Sequence, residues 1–124
     1  MPKLLPRLLA GAPALALLAT LASPAAAQKA GTYAVEGTSP DGSRYSGTLQ
    51  WQSAGSNTWR VTWRIPGSAP IVGSAINEGT NIAAGYVLDG AVGVVLYREM
   101  PDGTLMGRWT TRNGGVGTER LIPR

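Results

Sequence analysis

The stretch TWRVTWRI, residues 58–65, decides the reading of the fold. Trp59, Val61, Trp63 and Ile65 alternate with Thr58, Arg60, Thr62 and Arg64, so the indoles share one face and the guanidinium groups the other. A period of two belongs to a half-buried β-strand, because successive side chains leave a pleated chain on opposite sides.

The same alternation spreads outward. In RYSGTLQW, residues 44–51, Tyr45, Gly47, Leu49 and Trp51 fall on one face. Near the end, Leu105, Gly107 and Trp109 alternate with Thr104, Met106 and Arg108. The run AVGVVLY, residues 91–97, is apolar throughout, valine-rich and short, which predicts a strand covered on both faces. Beyond residue 27 no segment keeps a helical period.

Between these segments stand seven glycines in turn contexts: Gly42, Gly55, Gly67, Gly79, Gly90, Gly103 and Gly114. They are separated by 13, 12, 12, 11, 13 and 11 residues, the spacing of short strands joined by tight hairpins. The contexts carry their own mechanisms. Pro presets a corner, Asp or Asn bonds back to the chain, and Gly supplies a positive φ. Pro-Asp-Gly occurs twice, at 40–42 and 101–103, which we read as the same turn made twice and not as a duplicated active loop.

Seven turns leave eight strands. An antiparallel meander of that size exposes two unpaired edges unless it curls and joins itself, so the expected fold is all-β: an eight-stranded up-and-down barrel. Glycines within strands, at Gly47, Gly73, Gly85, Gly93 and Gly107, would bend the sheet and leave room for bulky neighbours. The competing arrangement is a two-sheet sandwich.

Before residue 28 the composition is different. Lys3 and Arg7 precede an apolar run from Leu8 to Leu21 that ends in SPAAA, the pattern of a helical signal peptide over residues 1–27, cleaved after Ala27. About 14 apolar residues fall short of the roughly 20 that span a bilayer as a helix. The expected domain is therefore 28–124, in an exported protein of the periplasm or the exterior. Setting Lys3 and Arg7 aside leaves nine Lys or Arg against seven Asp or Glu. So small an excess does not point to nucleic acid. Lys29 is the only lysine left beside eight arginines, a bias that genomic composition explains as readily as function.

The chain has no cysteine and no histidine. Thiolate metal sites, disulfides, a cysteine nucleophile and a Ser-His-Asp relay are thereby excluded. Neither a metal nor an organic cofactor is implied, and no pair of carboxylates is singled out for glycoside hydrolysis. Asp41, Asp89 and Asp102 belong to turns, and Glu78 abuts one. Glu119 differs, since in GTERL it alternates with Leu121 and would point inward with it. There it needs an arginine or several donors, as a structural ion pair, a rim contact or a polar anchor in a pocket. Trp51, Trp59, Trp63 and Trp109 are the main aromatic residues of a chain that lacks phenylalanine. Facing inward they would nearly fill so small a barrel, whereas at its mouth they could stack on a flat ligand or anchor a partner.

GTY at 31–33, together with DGTLMGRW and GTERL, resembles the calycin barrels, the lipocalin and avidin group. That resemblance implies a first-strand G-x-W packed on a last-strand arginine, with Tyr33 at the Trp position and Arg120 as the cation. The pattern from GTYAVEGTSPDGSRYSGTLQW through GTERL more closely resembles a group of small exported bacterial proteins of unsettled role, some loosely labelled fibronectin-binding. It covers nearly all of the chain after the leader.

These readings converge on a non-enzymatic exported binding barrel. The leading expectation is a protein partner, of the host matrix or the periplasm, meeting an exposed patch such as Arg60 and Arg64 with Thr62 on the outside of the third strand. The alternatives are a small ligand held beside the tryptophans and inhibition of a periplasmic protease. Self-association through AVGVVLY is a further expectation. An integral outer-membrane barrel fits less well, because Arg60, Arg64 and Arg108 would face lipid and the loops are short.

Overall fold

The computed structural model describes residues 30–124, and the expected leader over residues 1–27, with its helix and cleavage site, lies outside the described residues. The alternating segments form eight strands: β1 (Gly31–Thr38), β2 (Arg44–Gly55), β3 (Thr58–Arg64), β4 (Ile71–Glu78), β5 (Asn81–Leu88), β6 (Ala91–Glu99), β7 (Leu105–Thr111) and β8 (Gly117–Pro123). Among the described residues there is no helix.

All seven turn glycines take a positive φ. The two Pro-Asp-Gly turns are built alike. Gly42 N–H donates to the Ser39 carbonyl at 2.8 Å, and Gly103 N–H donates to that of Met100 at 2.9 Å. In each, Asp Oδ1 then accepts the N–H two residues on, from Ser43 and from Thr104, both at 2.9 Å. With φ of 90° at Gly42 and 89° at Gly103, both corners need a residue without Cβ. The first turn joins β1 to β2 and the second joins β6 to β7, so they lie at opposite ends of the molecule.

Each strand pairs antiparallel with its sequence neighbours, and β1 also pairs with β8, closing the barrel in the order β1 to β8. At the closing seam Val35 faces Leu121 and Glu36 faces Arg120. Closure leaves no sheet edge open for another chain to extend. One end carries the β1–β2, β3–β4, β5–β6 and β7–β8 turns, and we call it the upper end; the other three turns mark the lower end.

The inward positions form one core, including Tyr33, Val35, Leu49, Trp51, Val61, Ile82, Tyr97, Leu105 and Leu121. Burying each aliphatic side chain here contributes about 1.5–3 kcal/mol. Four inward glycines each lie directly across from an aromatic ring: Gly37 from Tyr45, Gly93 from Tyr86, Gly107 from Tyr97 and Gly117 from Trp109. A Cβ at any of the four would lie 2.1–2.6 Å from that ring. The rings therefore lie flat over a neighbouring glycine, against the wall and not across the lumen, a cross-strand device that relieves crowding in a tight barrel.

Four expectations need correction. The β6 strand is covered on one face only: Val92, Val94 and Leu96 point outward and are 54–61% exposed. An apolar run of this length does not distinguish a two-sided strand from a one-sided strand in an apolar stretch of outer wall. Gly85 is an outward residue, and a Cβ there would meet nothing closer than the Gly93 carbonyl oxygen at 4.0 Å, so no bulky neighbour requires it. Thr104 is buried, because it ends the turn before β7 begins and its carbonyl accepts from Met100 N–H. Finally, Arg120 points outward to Glu36 at 3.6 Å, while Tyr33 points into the core, so the two lie on opposite faces of the wall.

Candidate functional site

All four tryptophans face the lumen, as the period-two reading requires, yet they do not fill it. They divide between its halves. Trp51 and Trp59 occupy the lower half, edge to face with centroids 6.1 Å apart, and Trp51 meets Tyr97 in the same manner. Trp59 Nε1–H donates to Asn77 Oδ1 at 2.9 Å, holding this plug in place.

Trp63 and Trp109 stand in the upper half, and there a cavity of about 200 Å³ remains between them. At about 30 Å³ per water, it has room for roughly six or seven water molecules or one small organic molecule. Its lining is mainly aromatic: Tyr45, Tyr86 and Tyr97 join the two tryptophans. Ile65, Ile71, Leu88 and Val95 add aliphatic surface, and Ser39 and Ser68 come from the upper turns. Trp63 and Tyr86 pack with centroids 5.3 Å apart, and Tyr45 stands edge to face with Trp109 at 6.3 Å. The expectation that inward tryptophans leave little lumen is thus corrected. The glycines opposite Tyr45, Tyr86, Tyr97 and Trp109 let these rings lie against the wall.

Glu119 closes the cavity from below. Its side chain is buried, 6% exposed, as its alternation with Leu121 implies. It makes neither an ion pair nor a rim contact. Tyr45 OH donates to Oε1 at 2.8 Å, Trp63 Nε1–H donates to Oε2 at 3.0 Å, and Tyr97 OH also donates to Oε2. The ion pair found among the described residues, Arg120–Glu36, lies on the outer surface. Three neutral donors therefore converge on one buried side chain, so that its burial leaves neither carboxylate oxygen without a partner.

Burial first, and then the negative charge of Glu119, push Tyr97 well above the ordinary phenol value of 10. The same two causes, in the same order, raise Tyr45. Tyr86, whose hydroxyl donates to the Thr110 carbonyl at 3.3 Å, is pushed up to about 12 by burial and by Glu119.

Of the residues singled out from sequence, Trp63, Trp109 and Glu119 come together at the cavity, while Trp51 and Trp59 form the plug beneath it. Arg60 and Arg64 are exposed on the outside of β3, away from the lumen, with Thr62 half-buried between them. Tyr45, Tyr86 and Tyr97 were not among the candidates. Each falls on an inward position, but only the strand register shows that each also faces a glycine, and only the closed barrel brings two of them to Glu119. No group of His, Cys, Asp and Glu suited to a metal ion occurs among the described residues.

No protein-family model and no curated protein matches the sequence. Among solved structures the chain is similar to a redesigned beta barrel, with a TM-score of 0.65 and 19% identity, covering 77% of this chain and 90% of that one. It is also similar to a de novo designed fluorescence-activating beta barrel, with a TM-score of 0.58 and 20% identity over 81% of this chain and 97% of that one. At these identities the likeness concerns the barrel fold.

Proposed function

We propose that the protein is an exported, non-enzymatic barrel that binds a small ligand in the upper half of its lumen. The observation that carries this reading is the cavity of about 200 Å³ lined by Trp63, Trp109 and three tyrosines, with the single carboxylate of Glu119 at its floor. An apolar pocket with a few convergent polar groups is the usual form of a small-molecule site. The volume lies below the roughly 300 Å³ at which drug-sized sites begin, so the ligand is small. Three of its polar side chains, Tyr45, Trp63 and Tyr97, are bonded to Glu119. Export rests on the leader pattern of residues 1–27.

Tryptophan emission tests this directly, because two of the four indoles line the cavity. A panel of small aromatic, aliphatic, acidic and basic compounds is titrated into the protein. The reading expects a saturable change for one class, diminished in Trp63→Phe and Trp109→Phe and retained in Trp51→Phe. A panel without any saturable response would set the reading aside.

The outer wall of β4 to β6 favours a second reading, contact with another protein. Ile76, Ala83 and Leu96 form one cross-strand row there, with Val94 beside Gly85 in the next, and no charge lies among them. The self-pairing form is measurable: sedimentation velocity would show a dimer that Leu96→Lys dissociates. A concentration-independent monomer would rule that form out.

A further inference from the structure

Glu119 offers more acceptor positions than the barrel fills. A carboxylate has about four lone-pair positions. Tyr45 occupies one on Oε1, while Trp63 and Tyr97 take two on Oε2, so Oε1 keeps capacity for another donor. All three partners are neutral, and the residue borders the cavity. The rest of the site is mainly aromatic rings and aliphatic groups, with Ser39 and Ser68 at the upper turns and the unpartnered indole N–H of Trp109, and it holds no cation.

A metal ion does not suit this donor set. Zinc needs about four protein or water ligands and calcium six to eight, whereas Glu119 has one oxygen with room left and its neighbours are donors. An anion would meet the Glu119 charge at close range in a site of low polarity. An alkylammonium satisfies both halves of the site. Its N–H can donate to Oε1, and the aromatic walls attract the positive charge through their ring quadrupoles.

We infer that the upper lumen is a site for a small organic cation, a protonated amine carrying one apolar or aromatic group, with its ammonium on Glu119 and its apolar part between Trp63, Tyr86 and Trp109. This specifies the ligand class and rests on the reading of the lumen as a ligand pocket. The outward arginines do not compete for the carboxylate, because Arg120 and Arg108 lie on the opposite face of the wall.

The test is a calorimetric series on the protein at neutral pH: benzylammonium, benzyl alcohol and benzoate, which share a ring and differ in charge. The site predicts benzylammonium tighter than benzyl alcohol by about tenfold or more, with benzoate weakest. In Glu119→Gln the advantage of benzylammonium over benzyl alcohol should vanish. Near-UV circular dichroism reports whether this variant folds, and if it does not, the series on the parent protein decides alone. Benzyl alcohol or benzoate binding as tightly as benzylammonium overturns the cation preference and leaves the pocket standing. So does failure of the whole series when an uncharged member of the wider panel binds. Absence of a saturable response to every compound overturns both.

Discussion

Tyr97 and Gly107 face each other across β6 and β7, and the tyrosine ring occupies the space in which a side chain at 107 would begin: a Cβ there lies 2.6 Å from Tyr97 Cδ1. The buried ring cannot swing away, because its hydroxyl is bonded to Glu119 and it packs edge to face with Trp51. Gly107→Ala should therefore cost about 1–3 kcal/mol, the penalty of overpacking. Gly85→Ala, on the open outer wall, should be neutral or stabilise by about 0.5–1 kcal/mol, since alanine suits a strand better than glycine. Urea denaturation midpoints compare the two, and equal losses would contradict the ring-over-glycine account.

The carboxylate of Glu119 ties β8 to β2, β3 and β6 through three donors. Glu119→Ala strands at least two buried donors, those of Trp63 and Tyr97, at about 1–3 kcal/mol each. Stability should fall by about 3 kcal/mol or more. Glu36→Ala removes only the exposed pair with Arg120 and should cost about 0–1 kcal/mol. Chemical denaturation of both variants gives the comparison, and a Glu119→Ala loss as small as that of Glu36→Ala would mean the donors are not tied to the carboxylate.

Alkaline pH probes the same cluster. Tyr45, Tyr86 and Tyr97 have raised phenol values in the folded state, so above pH 10 the unfolded chain has lost protons that the native chain still holds. The stabilisation is present in full below pH 10 and is lost as pH rises through the raised values, that of Tyr86 being about 12. Stability should decline from pH 10 upward, with phenolate absorbance of the buried rings appearing together with unfolding. In Tyr97→Phe the decline should be shallower. Full phenolate absorbance in a protein that remains folded near pH 10 would contradict the burial of these groups.

At the acid end the two Pro-Asp-Gly turns should behave as a pair. Hydrogen bonds from Ser43 lower Asp41, and those from Thr104 lower Asp102. Depressed carboxyl values stabilise the fold above the ordinary value of 3.8 and lose that contribution as pH falls below it. Asp41→Ala and Asp102→Ala should lower the melting temperature by similar amounts at pH 7, though they act at opposite ends of the barrel. Each difference from the parent should shrink toward pH 3. A pH-independent difference would assign the effect to something other than the carboxylate.

Most of the architecture could be read from residue order. TWRVTWRI placed Trp59, Val61 and Trp63 inside, and seven turn glycines divided the chain into the eight strands observed. Closure followed from strand number, because an open meander leaves two edges. The inward turn of Glu119 was legible from its alternation with Leu121. Its partners were not, since Tyr45 and Tyr97 lie 74 and 22 residues away and meet it only through closure and register. The hollow upper half was illegible for a related reason. Summing four indoles suggests a full lumen, and only the one-to-one pairing of rings with glycines shows where the space is kept. The one-sided exposure of AVGVVLY likewise depends on what covers the outer wall, which an apolar run does not encode.

The central claim is a barrel plugged below by Trp51 and Trp59 and open above around Trp63, Trp109 and Glu119. The indole N–H region of a proton–nitrogen correlation spectrum tests it, with four signals assigned by Trp→Phe substitution and followed during titration with benzylammonium. The account predicts that the signals of Trp63 and Trp109 move and saturate while those of Trp51 and Trp59 stay in place. Four unmoved signals across the whole compound panel, or movement confined to Trp51 and Trp59, would contradict it.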